Sequence, residues 1–246
     1  MLSRRRLLAL SAAAGLLGCA SPLAEEVDSA SAAGRIDARP SSPATAGARG
    51  SRRIGSGTLY VPESYDPRRA VPLIVILHGA GGAPEGMMNL MRPHADRTGA
   101  IVFAPKSIGA TWDVIQATLG PDVDRLDDAL ADVFARYLID PERIAVGGFS
   151  DGASYALTIG IANGDLFTHI LAFSPGFLSA PAQHGTPGVY VSHGTDDRVL
   201  PVDRCSRVLV PRLQSAGYSV LYREFTGPHT VPPDVATEAI DWFASM

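Results

Sequence analysis

A serine between glycines stands at the centre of the stretch 143-RIAVGGFSDGASYAL-157. The pattern Gly-x-Ser-x-Gly there separates an apolar, strand-like run from a run with helical period, which is the setting of a sharp turn that exposes a serine hydroxyl. Glycines leave room for such a turn, and the start of the helix supplies unpaired backbone N–H groups beside the hydroxyl. The sequence therefore predicts that Ser150 is a nucleophile. The alternative is that Ser150 only caps the helix, a position that serine favours.

A serine hydroxyl becomes an effective nucleophile when a histidine, oriented by a carboxylate, accepts its proton. Two neighbouring acids, Asp196 and Asp197, lie after a strand candidate that follows Ser150 in the chain. His229 lies after the last strand candidate and before the last helix candidate. The order serine, acid, histidine is the order found in hydrolases with this serine turn. We therefore expect His229 to be the general base and one of the two acids to orient it.

Four other histidines are weaker candidates for the base. His193 precedes the two acids, and we expect it to shape their loop. His184 lies in a connection rich in Pro and Gly, with no strand before it. His94 and His169 are expected to be structural or exposed.

Acyl transfer passes through a tetrahedral intermediate whose oxyanion needs preorganised N–H donors. One donor is expected to be the N–H of Asp151, the residue after the nucleophile. The other is expected from the glycine-rich stretch 78-HGAGGAPEG-86, where we choose the N–H of Ala80. A phosphate-binding loop is the competing interpretation of these glycines, but no Gly-Lys-Ser or Gly-Lys-Thr follows them. The chain also lacks a His-Glu-x-x-His motif and paired Cys/His spacing, so we expect no metal and no cofactor.

Short apolar runs bounded by turn residues alternate with longer runs of helical period. The strand candidates are 71–79, 100–105, 143–149, 169–175, 188–194 and 219–225, and the helix candidates are 122–140, 151–163, 203–217 and 233–246. The strands read as buried on both faces. This alternation predicts an α/β fold with a mostly parallel sheet and helices on both faces. Ligands of such sheets bind at the carboxyl ends of the strands, where the candidate serine, acid and histidine lie.

The composition is that of one ordinary globular domain. The chain has 246 residues, a formal charge of −4 and 46% hydrophobic residues, which is enough for a full core. Lysine and arginine are scattered beyond the first few residues, so no surface for nucleic acid is predicted. Small or neutral substrates fit this charge better.

Residues 1–19 have the order of an export signal, with three arginines, an apolar run and then small residues. The arginines resemble a twin-arginine signal, and an ordinary secretory signal is the alternative. Leu16-Leu17-Gly18-Cys19 resembles the lipobox of bacterial lipoproteins. We therefore expect Cys19 to be lipidated and to tether a periplasmic or cell-surface protein to a membrane. The alternative is a cleavage that releases a secreted protein.

Residues 20–52 are dominated by Ala, Ser, Pro, Gly and Arg, so we expect a flexible linker there. The folded domain is expected to span residues 53–246. Because Cys19 is lipidated or removed, Cys205 has no partner for an intramolecular disulfide and is expected to be a buried, apolar side chain.

The motifs LHGAGG, GFSDGASYAL, HGTDDRVLP and GPHTVPPD, in this order, resemble the alpha/beta-hydrolase superfamily. More narrowly, residues 53–246 resemble the bacterial phospholipase/carboxylesterases and the polyhydroxybutyrate-depolymerase-like esterases. The resemblance implies that the catalytic acid is Asp197, the fifth residue of the family's H-G-x-x-D pattern, with Asp196 as the alternative. Many relatives carry Gln after the nucleophile, where this chain has Asp151. An acidic side chain there would disfavour anionic substrates.

The resemblance also implies an alpha/beta-hydrolase fold without a large lid, because no long insertion separates the strand candidates. The longest loop lies within residues 106–124, and we expect it to form the pocket wall. Trp112 and Ile115 are the expected apolar contacts with substrate. Simple filling of the core is an equal alternative for Trp112.

The expected activity is hydrolysis of small or medium carboxylic esters through an acyl-enzyme, with Ser150, His229 and Asp197 as the triad. A polyester depolymerase or a feruloyl-esterase-like enzyme is the alternative within enzymes, and the predicted export favours it. An alternative of another class is a non-catalytic surface lipoprotein that uses the fold for binding. The complete set of serine, acid and base argues against that third interpretation.

Overall fold

The computed structural model describes residues 34–42, 47–116, 119–180 and 182–245. The predicted export signal and Cys19 lie outside these residues. Export and lipidation therefore stay predictions from the sequence.

An eight-stranded sheet forms the centre of the protein. Its strands are β1 (Gly50–Ile54), β2 (Gly57–Val61), β3 (Val71–Leu77), β4 (Ile101–Ala104), β5 (Ile139–Phe149), β6 (His169–Phe173), β7 (Gly188–Gly194) and β8 (Val220–Phe225). Their order across the sheet is β1-β2-β4-β3-β5-β6-β7-β8. β2 is antiparallel to both of its neighbours, and the strands from β3 onward run parallel. The carboxyl ends of these parallel strands therefore meet at one edge of the sheet.

Within the residues that the structure describes, five α-helices cover the two faces of this sheet. They are α1 (Pro84–Thr98), α2 (Pro121–Arg136), α3 (Asp151–Ala162), α4 (Ser206–Ser215) and α5 (Pro233–Ala244). α2, α3 and α4 pack on one face, and α1 and α5 pack on the other. Within the described ranges, no helix has the length and apolar character needed to cross a bilayer. The arrangement confirms the predicted mostly parallel sheet with helices on both faces.

The alternation of side chains in β3 shows how both faces are buried. Leu73, Val75 and Leu77 contribute to the core beneath α2, α3 and α4. Ile74 and Ile76 contribute to the core beneath α1 and α5. Successive side chains of a strand point to opposite faces, so a strand between two helical layers needs an unbroken apolar run. Fixed strands of this kind provide a rigid base for the loops at their carboxyl ends.

The sequence patterns missed four elements, namely β1, β2, α1 and a 3₁₀-helix over Asp113–Gln116. β1 carries Arg52 and Arg53, and its polar side chains hide the strand pattern because an edge strand needs little apolar surface. α1 contains Pro93 and builds its buried face mainly from methionines, so its helical period is weak in the sequence. Cys205 is buried, as predicted, and forms no disulfide within the described residues.

The predicted linker is corrected over the residues that the structure describes. Residues 34–42 pack against the domain, with Ile36 fully buried in the core. The N–H of Ile36 donates to Asn163 Oδ1 over 2.8 Å, and Arg35 pairs with Asp165. β1 begins at Gly50, three residues before the predicted domain boundary at residue 53. The composition did not indicate that the segment is folded, because only one isoleucine and a few polar contacts attach it to the domain.

Replacing Ile36 with alanine tests whether this segment belongs to the folded domain. Truncating a fully buried isoleucine is expected to lower the free energy of unfolding by about 2 kcal/mol or more, measured from urea unfolding curves. Arg68→Ala, outside the segment, is the control, because its ion pair with Asp66 is exposed and exposed ion pairs contribute little to stability. An unchanged midpoint for Ile36→Ala would show that the segment contributes nothing to stability.

Candidate functional site

The turn between β5 and α3 presents Ser150. Its backbone has φ 58° and ψ −121°. Residues other than glycine rarely adopt a positive φ, and such strain costs about 1–3 kcal/mol. The N–H of Ser150 donates to Phe173 O over 2.9 Å and ties the turn to β6. Ser150 occupies the N-cap position of α3, but its hydroxyl makes no capping hydrogen bond. The hydroxyl is therefore free to bond elsewhere, which the capping interpretation did not predict.

Close backbone packing explains the glycines on both sides of this serine. A Cβ atom added at Gly148 would lie 2.4 Å from the backbone of Gly152. One added at Gly152 would lie 2.4 Å from Leu77 O, at the end of β3. Gly79 lies over the turn, since a Cβ atom there would be 3.3 Å from Ser150 Cβ. The turn can thus be sharp only because these positions lack side chains.

Three loops from the carboxyl edge of the sheet bring Ser150, His229 and Asp197 together. Ser150 Oγ lies 2.8 Å from His229 Nε2, and His229 Nδ1 lies 2.5 Å from Asp197 Oδ2. The hydroxyl therefore donates to the imidazole, whose second nitrogen donates to the carboxylate. The ring of His229 packs against Phe149, with centroids 4.6 Å apart. This geometry allows the imidazole to accept the serine proton while the carboxylate stabilises the resulting charge.

Asp197, and not its neighbour Asp196, reaches the imidazole. Asp197 is 5% exposed and its Oδ1 accepts the N–H groups of Val199 and Leu200, over 2.9 and 2.8 Å. Burial alone would raise the pKa of this carboxyl, but the N–H of Leu200, the His229 ring and the N–H of Val199 together lower the pKa below its ordinary value. Asp196 is exposed. Asp197 is thus an ionised, fixed hydrogen-bond acceptor.

His193 holds the loop that carries Asp197. Its Nε2 lies 2.7 Å from Leu200 O, and its Nδ1 lies 2.7 Å from Ser206 Oγ. A carbonyl only accepts, so Nε2 carries the proton and Nδ1 accepts from the serine hydroxyl. Burial, the largest influence, lowers the pKa of His193 below its ordinary value, which keeps the ring neutral. His184, the other rival base, is exposed and outside the cluster.

The two expected oxyanion donors belong to residues that adjoin the serine turn. Asp151 follows Ser150 directly, and Ala80 is exposed one residue after Gly79, which lies over the turn. Neither N–H donates to a protein acceptor in the part of the chain that the structure describes. Two unpaired N–H groups beside a serine hydroxyl are what an oxyanion requires.

His78 holds the loop that carries Ala80. Its Nδ1 donates to Gly79 O over 2.7 Å, and its Nε2 accepts the N–H of Ser107 over 3.2 Å. Burial, the largest influence, lowers the pKa of His78, so the ring stays neutral and keeps this one tautomer. Lys106 donates to Gly82 O over 3.0 Å. The loop is therefore fixed from both of its ends.

Of the two alternatives for Trp112, contact with substrate and filling of the core, the structure supports filling of the core. Trp112 is 1% exposed, and its ring stacks on Tyr155 with centroids 5.0 Å apart. Its Nε1–H donates to His78 O over 2.8 Å. Ile115 is half-buried and packs against the same core. Both side chains face inward because the loop that carries them folds back over α3. Trp112 therefore packs in the core and supports the loop that carries Ala80.

Two polar residues near the nucleophile escaped the sequence patterns. Thr111 Oγ1 donates to the Asp151 carboxylate over 2.7 Å. Ser154 Oγ accepts the N–H of Gly176 over 2.9 Å and links α3 to the loop after β6. No motif marks Thr111, whereas Ser154 lies one helical turn after Ser150 and could have been noticed from that spacing.

A cavity of about 500 Å³ lies between the β1–β2 turn and α2. Neither Ser150 nor His229 lines it, so it is separate from the triad. The described ranges contain no group of three or more His, Cys, Asp or Glu side chains arranged to hold a metal ion.

Comparison with known proteins identifies the family of the chain. Residues 106–242, more than half of the chain, match the protein family described as Phospholipase/Carboxylesterase. Feruloyl esterase C of Emericella nidulans is 29% identical over 153 residues, which are 59% of this chain and 56% of that protein. Acyl-protein thioesterase 1 of Gibberella zeae is 25% identical over 206 residues, with 67% of this chain and 86% of that protein covered. The chain spans just over half the length of the feruloyl esterases that it matches.

The crystal structure of esterase PE8 has the same fold. Its TM-score is 0.64 at 23% identity, and the match covers 77% of this chain and 98% of that chain. A likeness at this identity concerns the fold alone. It confirms the alpha/beta-hydrolase fold that the motifs predicted.

Adding a methyl group at Gly152 tests the packing of the serine turn. Gly152→Ala is expected to lower the free energy of unfolding by about 1–3 kcal/mol, because its Cβ atom would overlap the backbone oxygens of Leu77 and His78, at the end of β3. Gly86→Ala in α1 is the matched control, since that position is exposed and opens onto empty space. The control is expected to stabilise by about 0.5–1 kcal/mol. Urea unfolding measures both, and equal effects would contradict the packing argument.

Proposed function

Since the chain belongs to the phospholipase/carboxylesterase family, we propose that it hydrolyses carboxylic esters through an acyl-enzyme on Ser150. The observation that carries this proposal is the continuous hydrogen-bonded chain from Ser150 Oγ through His229 to Asp197. A serine that only stabilised a helix would cap the backbone, and this one does not.

The first half-reaction acylates the serine. His229 Nε2 takes the proton of Ser150 Oγ as the oxygen attacks the ester carbonyl carbon. The carbonyl electron pair moves to oxygen, and the N–H groups of Ala80 and Asp151 stabilise the resulting oxyanion. The oxyanion then collapses, and the alcohol leaves with the proton that His229 carried.

Water completes the cycle in the second half-reaction. His229 Nε2 takes a proton from a water molecule, whose oxygen attacks the acyl carbon of the ester on Ser150. The same two N–H groups stabilise the second oxyanion. The carboxylic acid leaves as the proton returns to Ser150 Oγ. Throughout both steps, Asp197 orients the imidazole and stabilises its charged form.

The substrates that we propose are small or medium esters. The site opens to solvent at Ala80 and at His229, whose side chain is 14% exposed. An open site also suits an ester carried by a larger molecule. A feruloyl-esterase-like activity is therefore the second candidate, supported by the 29% identity with feruloyl esterase C.

Replacing the nucleophile tests the proposed function. Ser150→Ala is expected to lower kcat for p-nitrophenyl butyrate by about 10⁴-fold or more, because the acyl-enzyme cannot form. His229→Ala is expected to be similarly inactive. The matched controls are Ser179→Ala and His184→Ala, which replace exposed residues outside the triad and should keep full activity. A Ser150→Ala variant that retains turnover would contradict the assignment.

Two further measurements separate the candidate functions. A fluorophosphonate probe should label the unsubstituted protein but not Ser150→Ala, whereas a non-catalytic binding protein would not react. Comparing kcat/KM for p-nitrophenyl butyrate, methyl ferulate and a polyester suspension then ranks the ester classes. Preference for methyl ferulate or release of acid from the polymer would replace the small-ester proposal with the second candidate or with a depolymerase.

A further inference from the structure

One loop contacts the supports of both proposed oxyanion donors. The described part of the β4–α2 loop, residues 105–116 and 119–120, contains Thr111 and Trp112, which are neighbours in sequence. Thr111 Oγ1 donates to the side chain of Asp151, whose N–H is one donor. Trp112 Nε1–H donates to His78 O, two residues before Ala80, whose N–H is the other. The N–H of Gly81 in turn donates to Ala110 O over 2.6 Å.

Two buried carboxylates hold the described part of this loop in place through backbone N–H groups. Asp122 accepts the N–H groups of Ile108 and Asp113, over 2.8 and 2.9 Å. Asp113 accepts the N–H groups of Gly120 and Asp122, over 3.1 and 2.9 Å. Each aspartate therefore bonds the backbone of the other, and both are buried. The described part of the β4–α2 loop is therefore held rigidly enough to position a side chain of the site that bonds to it.

Asp151 creates an electrostatic problem for the proposed reaction. The residue supplies an N–H to the developing oxyanion, and the same residue carries a carboxylate. A negative charge near an oxyanion raises the energy of the transition state that the N–H stabilises. The acidic group at the first turn of α3 is favourable for the helix itself. The site therefore needs a partner that fixes where this charge points.

We propose that Thr111 is a positioning residue for ester hydrolysis, whose hydroxyl holds the Asp151 carboxylate on the β4–α2 loop and away from the oxyanion. This inference rests on the proposed function. The 2.7 Å bond from Thr111 Oγ1 to Asp151 Oδ2 is the contact that carries it. The role predicts an effect on the transition state that depends on the charge of residue 151.

The kinetic test removes the hydroxyl with and without that charge. Thr111→Val is expected to lower kcat for p-nitrophenyl butyrate by about 10-fold, less than the loss of an entire oxyanion donor, with KM within about twofold. Thr111→Ser keeps a hydroxyl and should retain at least about one third of kcat. In the Asp151→Asn background, Thr111→Val should cost no more than about twofold, because no charge is left to position. Thr237→Val, at a half-buried threonine of α5 whose hydroxyl donates to Pro233 O in an exposed bond, is the control with unchanged kcat.

A tetrahedral inhibitor distinguishes positioning from a general loss of structure. A trifluoromethyl ketone forms an oxyanion on the serine, so its inhibition constant should rise for Thr111→Val by about the same factor as kcat falls. The melting temperature of the variant should stay within about 2 °C.

Three results would overturn the inference. They are an unchanged kcat for Thr111→Val, a loss of the same size in the Asp151→Asn background, and a change in KM alone. Each of them leaves the proposed function standing if the unsubstituted protein turns over ester and Ser150→Ala does not. An unsubstituted protein that hydrolyses no ester and resists the fluorophosphonate probe would instead reject the proposed function, and this inference with it.

Discussion

The 2.8 Å hydrogen bond between Ser150 Oγ and His229 Nε2 joins residues 79 positions apart, and the other features of the site serve it. Such a bond forms only if the ends of β5 and β8 are held at fixed positions on the same edge of the sheet. Buried apolar strands between two helical layers provide that rigidity. The chemistry thus depends on core packing far from the reacting atoms.

The strained backbone of Ser150 is the local consequence of this requirement. Its positive φ is unfavourable, but the turn is locked by the bond to Phe173 O and by glycine contacts that admit no side chain. Strain of about 1–3 kcal/mol persists when the surrounding structure leaves no alternative. Neutral His78 and His193 restrict the neighbouring loops in a similar way. Each ring keeps one tautomer, and His78 holds the loop that carries Ala80 while His193 holds the loop that carries Asp197. Preorganisation of this kind is the main source of transition-state stabilisation in acyl transfer.

Residue type and chain order were sufficient to predict the parallel strands and the nucleophile. The parallel strands were evident because strands buried on both faces need continuous apolar runs, and Ser150 was evident because its turn needs glycines. Other features depend on contacts that a linear pattern does not encode. The sequence left Trp112 either in the pocket or in the core, and only the bond from its indole N–H to His78 O distinguishes these alternatives. Ile36 is one apolar residue in a polar segment, and Thr111 acts through a partner 40 positions away.

The most direct test of the triad geometry is a proton NMR spectrum of protein labelled with ¹⁵N-histidine. The Nδ1 proton of His229, in a 2.5 Å bond to Asp197, should give a nitrogen-coupled resonance far downfield of the backbone amides. That resonance should persist in Asp196→Asn and disappear in Asp197→Asn and in His229→Ala. A resonance that survives Asp197→Asn, or that the unsubstituted protein lacks, would contradict the hydrogen-bonded chain on which this account rests.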